Sequence, residues 1–334
     1  MNRSPCPSRT SSGVVSVSPV GNGKTDTIVE LLRSQSLSGR AWTYFDYAGS
    51  GYDAAARFDA IVATVLKLGV ERASPDLPET ANLADRFSAR HAYVTVGEDD
   101  PPIRVNILRR LRRKDGRRER PHHVAGRFVD IWSAQYGDLD VRVRFQKYAI
   151  VVAGLLAAAD RPITEYARLL ESEQYRQFVR REQERCGTAD DPFVREQWEI
   201  LATQFLNLRK QSGDGVSTRQ FEEISSLHNA LAPLRAGPMA AFFGGSENFS
   251  LEEVAYGGKR LYASVRELAN AEHRKFVLRA LWAALDSLIN VIPQEDPSPV
   301  GLLVFDEVAQ LTAARRSGAA SQTCTASRAA SRKR

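Results

Sequence analysis

The sequence predicts an α/β protein whose sheet is interrupted by a long helical stretch, and three observations lead there. A short β-branched run, VVSVS, passes through SPVGNGKT into the amphipathic TDTIVELL. Near the other end an apolar run, GLLVF, finishes in Asp306 and Glu307. Between Pro121 and Gly244 the apolar residues recur at helical spacing instead of the strand-like runs that flank them.

The first strand is expected over Val14 to Ser18, where β-branched residues dominate. The turn after it carries the end of the pattern G-x-x-x-x-G-K-[ST]. That pattern aims successive backbone N–H groups at phosphates, at a helix N-terminus whose dipole already favours an anion. Gly21, Asn22 and Gly23 form the turn, Lys24 is positioned for the β- and γ-phosphates, Thr25 offers a hydroxyl to Mg2+, and Asp26 completes the candidate nucleotide site. Ser18 stands where the pattern has its first glycine, and serine does not share the freedom of glycine at positive φ. Ile28, Val29, Leu31 and Leu32 give the following helix a face to pack on a sheet.

Further strands are expected over Ala41 to Asp46, Ala92 to Val96, Lys259 to Val265 and Gly301 to Phe305, each short and bounded by Gly, Pro or polar residues. In the helical stretch Phe128, Ile131 and Trp132, then Tyr148 to Leu156, then Tyr166, Leu169, Leu170 and Phe178, then Trp198, Leu201, Phe205 and Leu208 follow helical periodicity. The longest apolar run, Tyr148 to Ala159, is too short to cross a bilayer and reads as a buried helix. A helix around Glu272 to Asn290 and the proline-marked loop PQEDPSP precede the last strand. The predicted organisation is a tail over 1–12, a discontinuous core over 13–120 and 245–312, a helical insertion over 121–244, and a disordered basic tail over 313–334.

Charge is concentrated. The 334-residue chain has a net charge of +6, yet Arg104 to Arg127 alone hold ten basic residues against Asp115 and Glu119. The last 22 residues add six basic residues and no acid, so the remainder is net acidic. RRLRRKDGRRER reads as an exposed, solvated run. Arg109, Arg110, Arg112, Arg113, Lys114, Arg117, Arg118 and Arg120 are candidates to follow a DNA backbone by charge attraction and counterion release. No aromatic interleaves the run to stack on bases, so a solvated loop without a partner is the competing reading.

Other classes find little support. Cys6, Cys186 and Cys324 are distant from one another and odd in number, which suits a reducing cytoplasm better than a disulfide framework. The first residues lack the apolar core of a secretory signal. His122 and His123, beside Pro121, have no third ligand at a metal-binding spacing and read as a polar loop. Trp132, Trp198 and Trp282 read as core anchors. Neither a G-x-S-x-G elbow nor a G-x-G-x-x-G fingerprint is present.

The acidic pair completes the nucleotide reading. Asp306, at the C-terminal end of an apolar strand, is placed to hold the metal through water, and Glu307 to polarise the water that attacks the γ-phosphate. Ligands of open α/β sheets sit beyond the carboxyl ends of the strands.

Taken in order, SPVGNGKT, the strand-end aspartate of WTYFDYAGSGYD, VTVGEDDPPIRVNIL, LLESEQYRQFV with QWEILATQFLNL, the passage LAPLRAGPMAAFFGGSENFSLEEVAYGGKRLYASV, and LLVFDEVAQL resemble the additional-strand P-loop ATPases of the HerA/FtsK type. Within that group the likeness is to the conjugation coupling proteins of type IV secretion, and it spans about Val14 to Leu311. The resemblance implies a RecA-like core with a helical subdomain, ATP bound between subunits, a hexameric ring, and DNA drawn through its pore. It implies that Lys24 and Thr25 contact phosphate and Mg2+, that Asp306 is the metal residue and Glu307 the catalytic one, and that Asp46 corresponds to the family aspartate after the second strand. The sequence departs from the family at Ser18. It also shows no counterpart of the later core strands, the polar sensor, the arginine finger or the leading membrane helices. Two readings follow: a cytoplasmic DNA-translocating ATPase, or a truncated nucleotide-binding or interaction module that assembles with a full-length paralogue and has no turnover of its own.

Overall fold

The computed structural model describes residues 13–15, 24–37, 40–47, 91–96, 103–113, 115–133, 139–206, 225, 227–245, 247–291 and 300–305. Both terminal tails, Ser18, the turn of Gly21, Asn22 and Gly23, Lys114, and the acidic pair Asp306 and Glu307 lie outside the described residues.

The fold is mixed α/β and mostly helical, built on five parallel strands: β1 (Gly13–Val15), β2 (Ala41–Asp46), β3 (His91–Thr95), β4 (Arg260–Ser264) and β5 (Val300–Phe305), in the order β1-β5-β2-β4-β3. β2 coincides with its predicted span, and β3, β4 and β5 fall within one residue of theirs at either end. β2 and β4 are buried at every position, as expected of parallel strands covered on both faces.

The side-chain alternation divides the sheet into two faces. Helix α1 (Lys24–Leu37) lays Ile28 and Leu32 on one, against Trp42, Tyr44, Tyr262, Leu302 and Val304. The other carries Phe45, Ala92, Val94, Leu261, Ala263 and Leu303, and its apolar core continues without a break into the helical part. Arg260, almost fully buried in β4, ties α1 to the sheet by donating from Nε to the Arg40 carbonyl at 3.1 Å and from Nη2 to the Ser36 carbonyl at 3.3 Å. A cation there complements the negative end of the helix dipole.

The helical part comprises α2 (Pro121–Ser133), α3 (Leu139–Ala158), α4 (Tyr166–Glu171), α5 (Glu173–Arg185), α6 (Pro192–Ile200), α7 (Gly237–Gly244) and α8 (Leu251–Ala255), and α9 (Ala271–Asp286) follows β4. Local chemistry starts several of them. Proline opens α2 and α6, where its missing N–H costs nothing. Ser172, Asp191 and Asn270 cap α5, α6 and α9, their side chains accepting from Tyr175 N at 3.2 Å, Phe193 N at 2.9 Å and Glu272 N at 2.8 Å. Val151 to Ala158 of α3 are buried on every side, in keeping with the apolar run read as a core helix. Trp132 is buried, while Trp198 and Trp282 pack half-buried against the core.

His122 and His123 correct an expectation. They lie in the first turns of α2, not in a loop, because Pro121 begins the helix instead of interrupting it. Burial, then the neighbouring His123, lowers the pKa of His122, whose ring meets Phe193 edge-on with centroids 5.9 Å apart. No helix among the described residues is long and apolar enough to cross a membrane.

Candidate functional site

The strand order decides what meets at the carboxyl edge of the sheet. β1 and β5 pair directly and in parallel, Gly13 beside Leu302 and Val15 beside Val304. The chain therefore leaves both strands on the same side. After β1 it re-enters the described structure at Lys24, Thr25 and Asp26, the first turn of α1. After β5 it continues into Asp306 and Glu307. α1 covers one face of the sheet, whereas α9 covers the other, where Trp282 contacts both Phe45 and Phe305. Ligands of open α/β sheets bind beyond the carboxyl ends of the strands.

Asp46 ends β2 at that same edge. It follows the register pair Phe45–Phe305, and its carboxylate is wholly buried, with Oδ2 accepting from the Tyr262 hydroxyl at 2.8 Å. A buried carboxylate needs such donors, since desolvation without them costs several kcal/mol, on the order of the penalty for any unpaired buried charge.

The basic run is not the solvated segment its composition predicts. Arg112 and Arg118 face each other across a short antiparallel bridge, closed by a turn at Asp115 and Gly116. Gly116 takes φ 82°, a conformation that suits glycine, and Arg113 N donates to the Arg117 carbonyl at 2.8 Å. Arg110 is buried, donating from Nε to Asp160 Oδ1 at 3.4 Å and from Nη2 to the Cys186 carbonyl at 3.4 Å. Arg109 pairs with Glu247 at 2.8 Å, and Arg118 with Asp160. Arg113 lies 3.5 Å from Asp115. Arg112, Arg117, Arg118 and Arg120 remain exposed. The acids that absorb the charge, Asp160 and Glu247, lie far along the chain, where net charge alone gives no hint of them.

Asp160 explains part of this geometry. At the C-terminal end of α3 its N–H donates to the Ala157 carbonyl at 3.1 Å and Arg161 N donates to the Leu156 carbonyl at 2.9 Å, the pattern of a helix stop that favours glycine. Asp160 adopts φ 51° there. Its carboxylate, shared by Arg110 and Arg118, gives the position a reason to hold a charged residue instead.

These residues surround a cavity of about 520 Å³, with Arg109, Arg118 and Arg161 interleaved with Asp160, Glu165 and Glu247. Arg161 donates from Nε to Glu165 Oε2 at 2.8 Å, and the Tyr175 hydroxyl reaches the same oxygen. Burial, then that carboxylate, raises the Tyr175 pKa. Burial also pushes the Glu247 carboxyl up to about 7 against the opposing pull of Arg109. Sequence reading missed this cavity. Its one local signal was the Asp115–Gly116 turn, which marks a hairpin within the charge run.

Among the described residues no group of three or more His, Cys, Asp or Glu side chains could hold a metal ion. No family model, no curated protein and no solved structure matches the chain.

Proposed function

We propose that the chain binds ATP and Mg2+ at the carboxyl edge of a RecA-like sheet and belongs functionally with the P-loop ATPases that move DNA. The parallel pairing of β1 with β5 carries the reading, because it brings the exits of the two motif-bearing strands side by side. In this reading Gly21, Asn22, Gly23 and Lys24 cradle the phosphates, Lys24 neutralising charge on the β- and γ-groups, while Asp26 borders them. The Thr25 hydroxyl and the Asp306 carboxylate form an all-oxygen donor set of the kind Mg2+ takes. Bound there, the ion would polarise the phosphoryl oxygens. Glu307 orients and polarises the attacking water for in-line displacement at the γ-phosphorus.

The DNA part of the proposal rests on the exposed arginines of the hairpin, Arg112, Arg117, Arg118 and Arg120. A hexameric ring and a role in conjugation or type IV secretion come from the sequence resemblance. Ser18, in place of the first loop glycine, favours a second reading: a nucleotide-binding or interaction module without turnover of its own.

ATP binding and hydrolysis, with and without DNA, on the wild type and on Lys24→Ala test both. The motor reading expects DNA-stimulated turnover that Lys24→Ala abolishes. Lys24-dependent binding without turnover leaves the second reading standing, and nucleotide affinity indifferent to Lys24 removes the motor reading and leaves of the second only an interaction module.

A further inference from the structure

The cavity between the basic hairpin and the end of α3 has a hydrogen-bond balance that net charge conceals. Its carboxylates are occupied. Asp160 Oδ1 accepts from Arg110 and Oδ2 from Arg118 and, at 3.7 Å, from the Cys186 thiol. Glu165 receives Arg161 on both oxygens and Tyr175 on one. Glu247 holds Arg109. A guanidinium carries five N–H groups, and the bonds and ion pairs of Arg109, Arg118 and Arg161 leave each of them three or more among the described residues.

In the pairs made by the three arginines that line the cavity the guanidinium is also the more exposed partner: Arg109 at 29% against Glu247 at 20%, Arg118 at 37% against Asp160 at 25%, and Arg161 at 34% against Glu165 at 14%. The acids thus orient the arginines from behind while the cations keep a surplus of donors. Tyr175 and Arg161 lock Glu165, and Arg110 fixes Asp160, so the site is organised before any ligand arrives. Three partly satisfied arginines about a space of nucleotide size are suited to an oxyanion with several acceptor oxygens.

We propose that this cavity binds a phosphate group through Arg109, Arg118 and Arg161, as a second anion site separate from the phosphate loop at α1. The same chemistry is offered by a small phosphorylated metabolite or by the 5′-phosphate of a nucleic-acid strand. The site does not depend on nucleotide binding at Lys24.

Calorimetric titration of the full chain carrying Lys24→Ala, with inorganic phosphate, adenosine 5′-monophosphate, and one oligodeoxynucleotide bearing either a 5′-phosphate or a 5′-hydroxyl, tests the proposal. Saturable binding of inorganic phosphate is expected in that background, at least tenfold weaker once Arg118→Ala is added. Tighter binding of the free phosphates than of the phosphorylated strand identifies a small ligand, and tighter binding of the phosphorylated strand than of both the free phosphates and the hydroxyl-ended strand identifies a strand end; both support the site. Loss of all phosphate binding with Lys24→Ala alone, or an unchanged affinity in Arg118→Ala, overturns it. Phosphate protection against an arginine-specific dicarbonyl reagent, read by mass spectrometry on the wild type, needs no variant to fold. Arg118 and Arg161 should be shielded while Arg117 reacts regardless, and equal reactivity with and without phosphate defeats the proposal.

Discussion

Asp46 carries a carboxylate with no accessible surface at the edge of the sheet where β5 also ends, and the Tyr262 hydroxyl is its buried donor. Removing that donor leaves the ring in place and takes away one hydrogen bond to a buried acid. Tyr262→Phe should therefore cost about 1–3 kcal/mol, the range for taking a hydrogen-bond partner from a buried polar group. Chemical denaturation of the two proteins measures it, and equal midpoints would show that Asp46 is stabilised by other means. The resemblance in the sequence singled out Asp46 as a strand-end aspartate. Its burial and its tyrosine partner, 216 positions away, required the pairing of β2 with β4.

At the scale of the element, the hairpin around Asp115 and Gly116 separates arginines that composition treats alike. Arg117 is 79% exposed and only loosely held by Asp115 at 3.8 Å, and Arg112 is likewise exposed, whereas Arg110 is buried against Asp160. If the hairpin follows a phosphate backbone, Arg112→Ala with Arg117→Ala should weaken DNA binding for every sequence. The slope of log affinity against log salt should fall by about 2, roughly one for each lost phosphate contact. Arg110→Ala should leave that slope alone and lower stability instead, because Asp160 loses a partner. Affinity that does not respond to the exposed pair would return the hairpin to a structural role. Helix α2 was legible before the structure because Phe128, Ile131 and Trp132 recur at helical spacing, and β2 and α3 because each is a continuous apolar run of strand or helix length. A charge run has no such period, and its partners lie in other elements.

For the whole molecule, the raised carboxyl of Glu247 makes stability depend on pH. Burial lifts it from 4.5 to about 7, so between those values the folded chain binds more protons than the unfolded one. That contribution is fully present below the unfolded value and is lost as pH rises through about 7, the reverse of an ordinary paired carboxylate. Replacing the acid by a neutral isostere should remove the decline: Glu247→Gln is expected to melt at a temperature that varies less from pH 5 to 8 than the wild type. Parallel melting profiles would show that Glu247 ionises normally in the folded chain.

Taken by itself, the sequence determined where strands and helices form, because the spacing of apolar side chains along a covalent backbone sets which local geometry can bury them. It also marked the phosphate-loop motif and the acidic pair as candidates, through residue chemistry alone. Only the tertiary structure decided that β1 and β5 are neighbours and that Asp160 and Glu247 pair with Arg109, Arg110 and Arg118 of a basic run distant in sequence. Strand order and ion pairing depend on which remote segments the packed core brings within a few ångströms, and no local window of residues contains that information.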